Sequence, residues 1–274
     1  TFAFGGEARP ADYARAIADG GLLALLACLG LARLSHEATP ALAQLSFSTL
    51  LFFALANLPR KRIGAWVSAA IAIVGLALSG APALAMILGI GGAFIMALDT
   101  HKPSALRARS VDVAWVLLIC LATAALVSAL GLWRWRVAYS HVLEIKAITR
   151  LLLWFTWPAW PLAIWTLWRW RFQLKHLTAN PHLSLPLWFV AVAICTTWFS
   201  GLSDRALLLS LPAMATLAAF ALPTLRRSVS AFVDWFTLVF FSVGALIIWV
   251  VWTSLQTGMP AQPAINVARL APGF

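Results

Sequence analysis

The chain is a succession of long apolar runs separated by short polar ones. The runs lie near residues 15–35, 40–58, 63–80, 82–98, 111–131, 151–168, 186–201, 206–225 and 232–253. Each approaches the ~20 apolar residues that a helix needs to cross the hydrocarbon core of a bilayer. Within a run the apolar residues are continuous and do not alternate with polar ones, which predicts helices rather than barrel strands. Two connections are very short, SGAP at residues 79–82 and LSDR at residues 202–205, so the helices that they join must be antiparallel neighbours. The expected fold class is all-α: a polytopic transmembrane helical bundle of about nine spans. A single transmembrane domain covers residues 1–274, with a loop on the outer face at residues 132–150.

Composition strengthens this picture. Hydrophobic residues make up 62% of the chain and charged residues 11%, with a mean hydropathy of +0.88. Soluble domains carry about a quarter charged residues, so a water-soluble protein of this length could not cover its core. The opening TFAFGGEARPADYARAIADGG has no initiating Met and no signal-peptide pattern, and the chain is expected to be the later part of a longer one.

Lys and Arg set the expected orientation, because cytoplasmic loops carry an excess of them. With nine spans the loops alternate sides. Thirteen cations fall on one side, at Arg9, Arg15, residues 60–62 (RKR), Lys102, Arg107, Arg109, Arg169, Arg171, Lys175, Arg226 and Arg227. Six fall on the other, at Arg134, Arg136, Lys146, Arg150, Arg205 and Arg269, and Arg33 sits inside the first run. The larger group is expected in the cytoplasm. The C-terminus is then periplasmic, in a bacterial inner membrane.

Four of the six outer cations crowd into LWRWRVAYSHVLEIKAITRLLLWF, residues 132–155. Two readings stand. Trp133 and Trp135 can sit in an interfacial aromatic belt while the cations touch lipid phosphates. Alternatively Arg134, Arg136, Lys146 and Arg150, with the polar Tyr139, His141 and Glu144, form a site for a phosphate-bearing substrate that guanidinium grips bidentately. A second polar cluster, RLSHEATPALA at residues 33–43, places Arg33, His36 and Glu37 at the outer end of the first span. Ionisable residues at membrane depth are functional candidates, and an interfacial turn is the competing reading.

The remaining features carry less chemistry. Cys28, Cys120 and Cys195 fall in apolar runs without metal-ligand spacing and read as core residues. The five histidines are scattered, so neither a metal nor a cofactor is expected. WPAWP at residues 157–161 predicts a kink in its span. GIGGAF in the fourth span reads as close helix packing. No nucleic-acid partner is expected.

Three stretches resemble the later part of a bacterial GT-C glycosyltransferase, in the branch of the lipid A aminoarabinose transferases and protein O-mannosyltransferases (family 39-like). Residues 39–85 resemble that family's acidic-Pro outer turn, span, basic cytoplasmic turn and a span ending in Lys-Gly. Residues 151–171 resemble the span after its large outer loop. Residues 203–227 resemble its Arg-Tyr-Leu-Leu-Pro-Leu-Leu-Pro span, with Arg205 and Pro212 matching. The departures are at its site positions. Thr39 stands where the family has an acid before Pro40, with Glu37 two residues earlier. Ser79 stands for Lys before Gly80, and Ala206 stands for Tyr after Arg205.

The resemblance implies transfer of a sugar from a polyprenyl-phosphate donor on the outer face. A carboxylate would act as general base, for which Glu37 is the candidate in this chain. Cations would hold the phosphate leaving group. The lipid-phosphate candidates are Arg134, Arg136, Tyr139, Lys146, Arg150 and Arg205. Expected partners are membrane lipids, the polyprenyl-phosphate-linked sugar and other membrane subunits. The alternative function is a non-catalytic membrane scaffold, or a subunit of a larger complex, that reuses the same fold.

Overall fold

The computed structural model describes residues 9–98, 106–133, 145–200, 203–225 and 227–270, with side chains for all of these except 106–108, 176–178 and 227. Among the described residues the chain is all-helical, without strands. The helices are α1 (Pro10–Leu26), α2 (Leu29–Leu34), α3 (Pro40–Asn57), α4 (Arg62–Leu78), α5 (Pro82–Leu98), α6 (Leu106–Ala129), α7 (Ile145–Phe155), α8 (Ala159–Arg169), α9 (Pro181–Phe199), α10 (Asp204–Leu208), α11 (Leu211–Ala221), α12 (Arg227–Thr257) and α13 (Ala261–Leu270). Short 3₁₀ segments cover Gln173–Ala179 and Leu222–Thr224.

Proline starts many of these elements. It occupies the first turn of α1, α3, α9 and α11 and opens α5. Its missing N–H is one of the donors that a helix start leaves unpaired anyway, and its fixed φ suits the first turn.

Among the described residues, four helices are long and apolar enough to cross a membrane: Pro40–Asn57, Arg109–Ala129, Pro181–Phe199 and Ser228–Thr257. Arg62–Leu78, Pro82–Leu98 and Leu211–Thr224 are apolar but shorter. Three of the apolar runs are interrupted. The first divides into α1 and α2 at Ala27 and Cys28, the sixth into α7 and α8, and the eighth into α10 and α11. In the sixth, WPAWP does more than kink a helix: α7 ends at Phe155 and α8 starts at Ala159, with Pro158 between them. The carbonyl freed there is reused, since Leu29 N–H donates to Trp157 O at 3.0 Å and so ties the start of α2 to the break.

The chain forms two compact units, Thr1–Thr224 and Leu225–Phe274. In the first, α3, α4, α5, α6 and α9 share a core of Leu51, Leu55, Ile73, Leu76, Val116 and Phe189. A second core gathers Cys28, Leu34, Phe155, Leu207, Leu208 and Leu211 from α2, α7, α10 and α11. GIGGAF acts as expected. A Cβ on Gly92 would lie 2.3 Å from Leu55 Cδ1, and one on Gly91 would lie 2.2 Å from the Trp188 ring. The missing side chains let α3 and α9 approach α5.

One polar contact pins this unit at the RKR turn. Asp112 of α6 is only 7% exposed. It accepts hydrogen bonds from Arg62 Nε at 2.9 Å and Trp66 Nε1 at 3.0 Å. A carboxylate taken out of water needs a cationic or hydrogen-bonded partner, and α4 supplies both.

In the second unit, α12 ends at Thr257, and Gly258 follows with a φ of +73° that suits glycine just past a helix terminus. The buried Ser254 hydroxyl donates to Pro260 O and accepts from Ala264 N–H at 2.9 Å, fastening α13 to the end of α12. Large apolar side chains, among them Phe232, Trp235, Ile248 and Trp249, are exposed around α12. In the first unit Phe94, Leu118 and Leu121 are exposed in the same way. A surface of this kind is stable against lipid chains and costly against water.

Candidate lipid-phosphate site

Two ion pairs join the turn after α2 to the start of α10. Arg205 Nη2 lies 3.1 Å from Glu37 Oε2, and Arg33 Nη1 lies 3.6 Å from Asp204 Oδ2. The turn is shaped by its backbone: Glu37 N–H donates to Leu34 O, Thr39 N–H donates to Glu37 O, and Pro40 then starts α3. On the other side, α10 begins at Asp204 after Ser203, so Asp204 and Arg205 both lie in its first turn. The pairs are crossed in sign, cation to acid and acid to cation. This cancels the charge of four ionisable groups at one end of the bundle. None is deeply buried: Arg205 is 56% and Glu37 32% exposed.

Arg205 also borders a cavity of about 530 Å³ between α3, α5, α9 and α10. Its wall is mostly apolar, including Leu84, Ile87, Trp188, Val192 and Phe199, and among the described residues Arg205 is the one charged group that lines it. Gln44 contributes a polar edge, but its Nε2 already donates to Ser79 O at 2.9 Å. The Ser79 hydroxyl turns back onto its own helix and donates to Leu76 O at 2.8 Å. The position at which the resemblance implies a lysine therefore presents no donor of comparable reach.

The expected site residues separate into three groups. Arg205 and Glu37 come together. Lys146 and Arg150 lie exposed on α7 and have, among the described residues, no ion-pair partner. They share an i, i+4 stripe with Trp154, whose ring lies beneath the Arg33 guanidinium at 5.5 Å from its centroid. That stripe places Arg150 one helical turn, about 5–6 Å, from the edge of the ion-pair cluster. Arg134, Arg136 and Tyr139 lie outside the described residues, as do His141 and Glu144.

Two contributors were not expected from the sequence. Asp204, in sequence only part of the LSDR connection, is Arg33's partner. The sequence places Cys195 in the core. That expectation is corrected: Cys28 and Cys120 are buried, but Cys195 is exposed and lines the cavity. Nothing in an apolar helical run marks which residue faces a cavity, so only the packing of α9 against α5 reveals it.

No protein-family model matches the sequence, no curated protein is significantly similar to it, and no solved structure is significantly similar to its fold.

Proposed function

We propose that this chain is a multi-pass inner-membrane protein of GT-C glycosyltransferase type that binds a polyprenyl-phosphate-linked sugar at the periplasmic end of its bundle. The observation that carries the reading is Arg205, among the described residues the one charged group on the wall, at the edge of a mostly apolar cavity. A lipid phosphate has that polarity: the first isoprene units fit the apolar wall, and a guanidinium gives the phosphate two parallel hydrogen bonds. The remaining isoprenoid would lie in the bilayer. Nine spans follow if α1 with α2, α7 with α8, and α10 with α11 each cross as an interrupted unit, beside α3, α4, α5, α6, α9 and α12. Glu37 is then the candidate base that takes the proton from the acceptor as it attacks the sugar's anomeric carbon, while Arg205 holds the phosphate that leaves.

A second reading, binding without transfer, is favoured by one observation. The Glu37 carboxylate and the Arg205 guanidinium occupy each other, so base and anion clamp are mutually neutralised. A scaffold that holds a lipid carrier needs the clamp alone.

The test is binding of undecaprenyl phosphate to purified protein in neutral-lipid nanodiscs. Arg205→Lys is expected to weaken binding by about tenfold, because an ammonium lacks the planar fork. Equal binding by parent, Arg205→Lys and Arg205→Gln would refute the assignment. Transfer from a lipid-linked sugar by the parent would select the enzyme over the scaffold.

A further inference from the structure

The other end of α8 carries a second cation arrangement, in the stretch WRWRFQLK at residues 168–175. Its backbone is held firmly. Trp170 N–H donates to Thr166 O, and Gln173 and Leu174 N–H both donate to Trp170 O. Asn180 Nδ2 closes the segment onto Gln173 O at 3.2 Å. Trp170 turns inward, against the core and edge-on to His182. With Trp170 anchored, its neighbours face outward.

Those neighbours form a preorganised clamp. The Arg171 guanidinium lies over the Trp168 ring at 5.1 Å and over the Phe172 ring at 4.6 Å, and its Nη1 donates to Trp168 O at 3.1 Å. Lys175 Nζ lies 5.8 Å from the Phe172 centroid, so one ring serves both cations. Trp168 and Phe172 are 65% and 64% exposed. Among the described residues neither cation has a carboxylate partner. The rings hold the guanidinium in place but use few of its five N–H groups, which leaves donors for an oxyanion. Large exposed rings beside them offer a surface for hydrocarbon.

We propose that Trp168, Arg171, Phe172 and Lys175 form a binding site for an anionic phospholipid, its phosphodiester held by the two cations and its acyl chains laid along the two rings. The site is distinct from the Arg205 cavity and does not depend on the transfer reading. Charge complementarity selects the occupant. Two unpartnered cations at the end of an apolar helix meet headgroups first, and the rings take the depth at which interfacial aromatics lie.

The test is retention of dioleoyl phosphatidylglycerol against dioleoyl phosphatidylcholine on the detergent-purified full chain, read by native mass spectrometry. The parent is expected to retain phosphatidylglycerol selectively. Arg171→Gln with Lys175→Gln should lower that retention by about tenfold. Arg60→Gln with Lys61→Gln removes two exposed cations at the RKR turn and should change it little. Arg171→Lys, which keeps charge and folding, should fall between parent and double variant. Undiminished retention in the Arg171/Lys175 variant would overturn the proposal. So would an equal loss in the Arg60/Lys61 variant, which would mean bulk charge. Displacement by millimolar inorganic phosphate would show a free-oxyanion site and end the lipid assignment.

Discussion

Arg205 Nη2 donates to Glu37 Oε2 at 3.1 Å across 168 residues of chain. The two residues proposed as anion clamp and base are therefore each other's partner. An incoming phosphate competes with Glu37 for the same guanidinium. Glu37→Gln removes the competing charge at nearly constant shape. We predict that it tightens undecaprenyl phosphate binding by roughly two- to fivefold, the range of a partly exposed ion pair. The same variant should abolish sugar transfer if the chain transfers sugar. Weaker binding in Glu37→Gln would mean that the carboxylate positions Arg205 instead of competing for it.

Cys195 is a native reporter of the cavity. It is exposed there, while Cys28 and Cys120 are buried. A maleimide should therefore label the folded protein at Cys195, and undecaprenyl phosphate should slow that labelling. Cys195→Ala should abolish it. Persistent labelling in Cys195→Ala, or a rate indifferent to the lipid, would separate the thiol from the proposed site.

Gly91 sets the position of Trp188 on the cavity wall. A methyl group there would sit 2.2 Å from the indole, far inside contact distance. Gly91→Ala should displace the ring, cost about 1–3 kcal/mol through overpacking and alter the Cys195 labelling rate. Gly64 meets nothing within 4 Å, so Gly64→Ala serves as the control and should leave both readouts unchanged.

Asp112 is the acceptor that α4 requires. Asp112→Ala leaves Arg62 and Trp66 without it and breaks a contact at the half-buried end of the bundle. Arg62 is 40% exposed and can turn to solvent or headgroups, so the expected cost is about 2 kcal/mol, below that of a fully buried pair. Thermal unfolding in detergent should show a Tm lowered by about 5 °C. An unchanged Tm would make the contact incidental.

The membrane orientation can be tested with a Cys195→Ala background. The thirteen-to-six division of Lys and Arg predicts that Arg269→Cys reacts with an impermeant thiol reagent in intact cells and Arg60→Cys does not. The opposite pattern would invert the proposed topology and move the Arg205 cavity to the cytoplasmic side.

The helical class, the short link between α4 and α5 at residues 79–81 and the packing role of GIGGAF were legible in the sequence, because each depends on local physics; of the link expected at 202–205, Leu202 lies outside the described residues and Asp204 and Arg205 open α10. A continuous apolar run must be helical to satisfy its backbone in lipid, and a three-residue link allows only antiparallel neighbours. The break at Pro158 was half legible, since proline signals a kink without saying how far the chain opens. The site was not legible in this way. Glu37 stands out by its depth and Arg205 by its match to a motif, but their pairing depends on which helix ends converge. Asp112 and Asp204 carry no such signal, since an isolated acid in an apolar chain acquires meaning only from the cation brought to it. The exposure of Cys195 is hidden from the sequence for the complementary reason. An apolar helix facing lipid, core or cavity has one and the same sequence pattern, and only the packing of its neighbours decides between them.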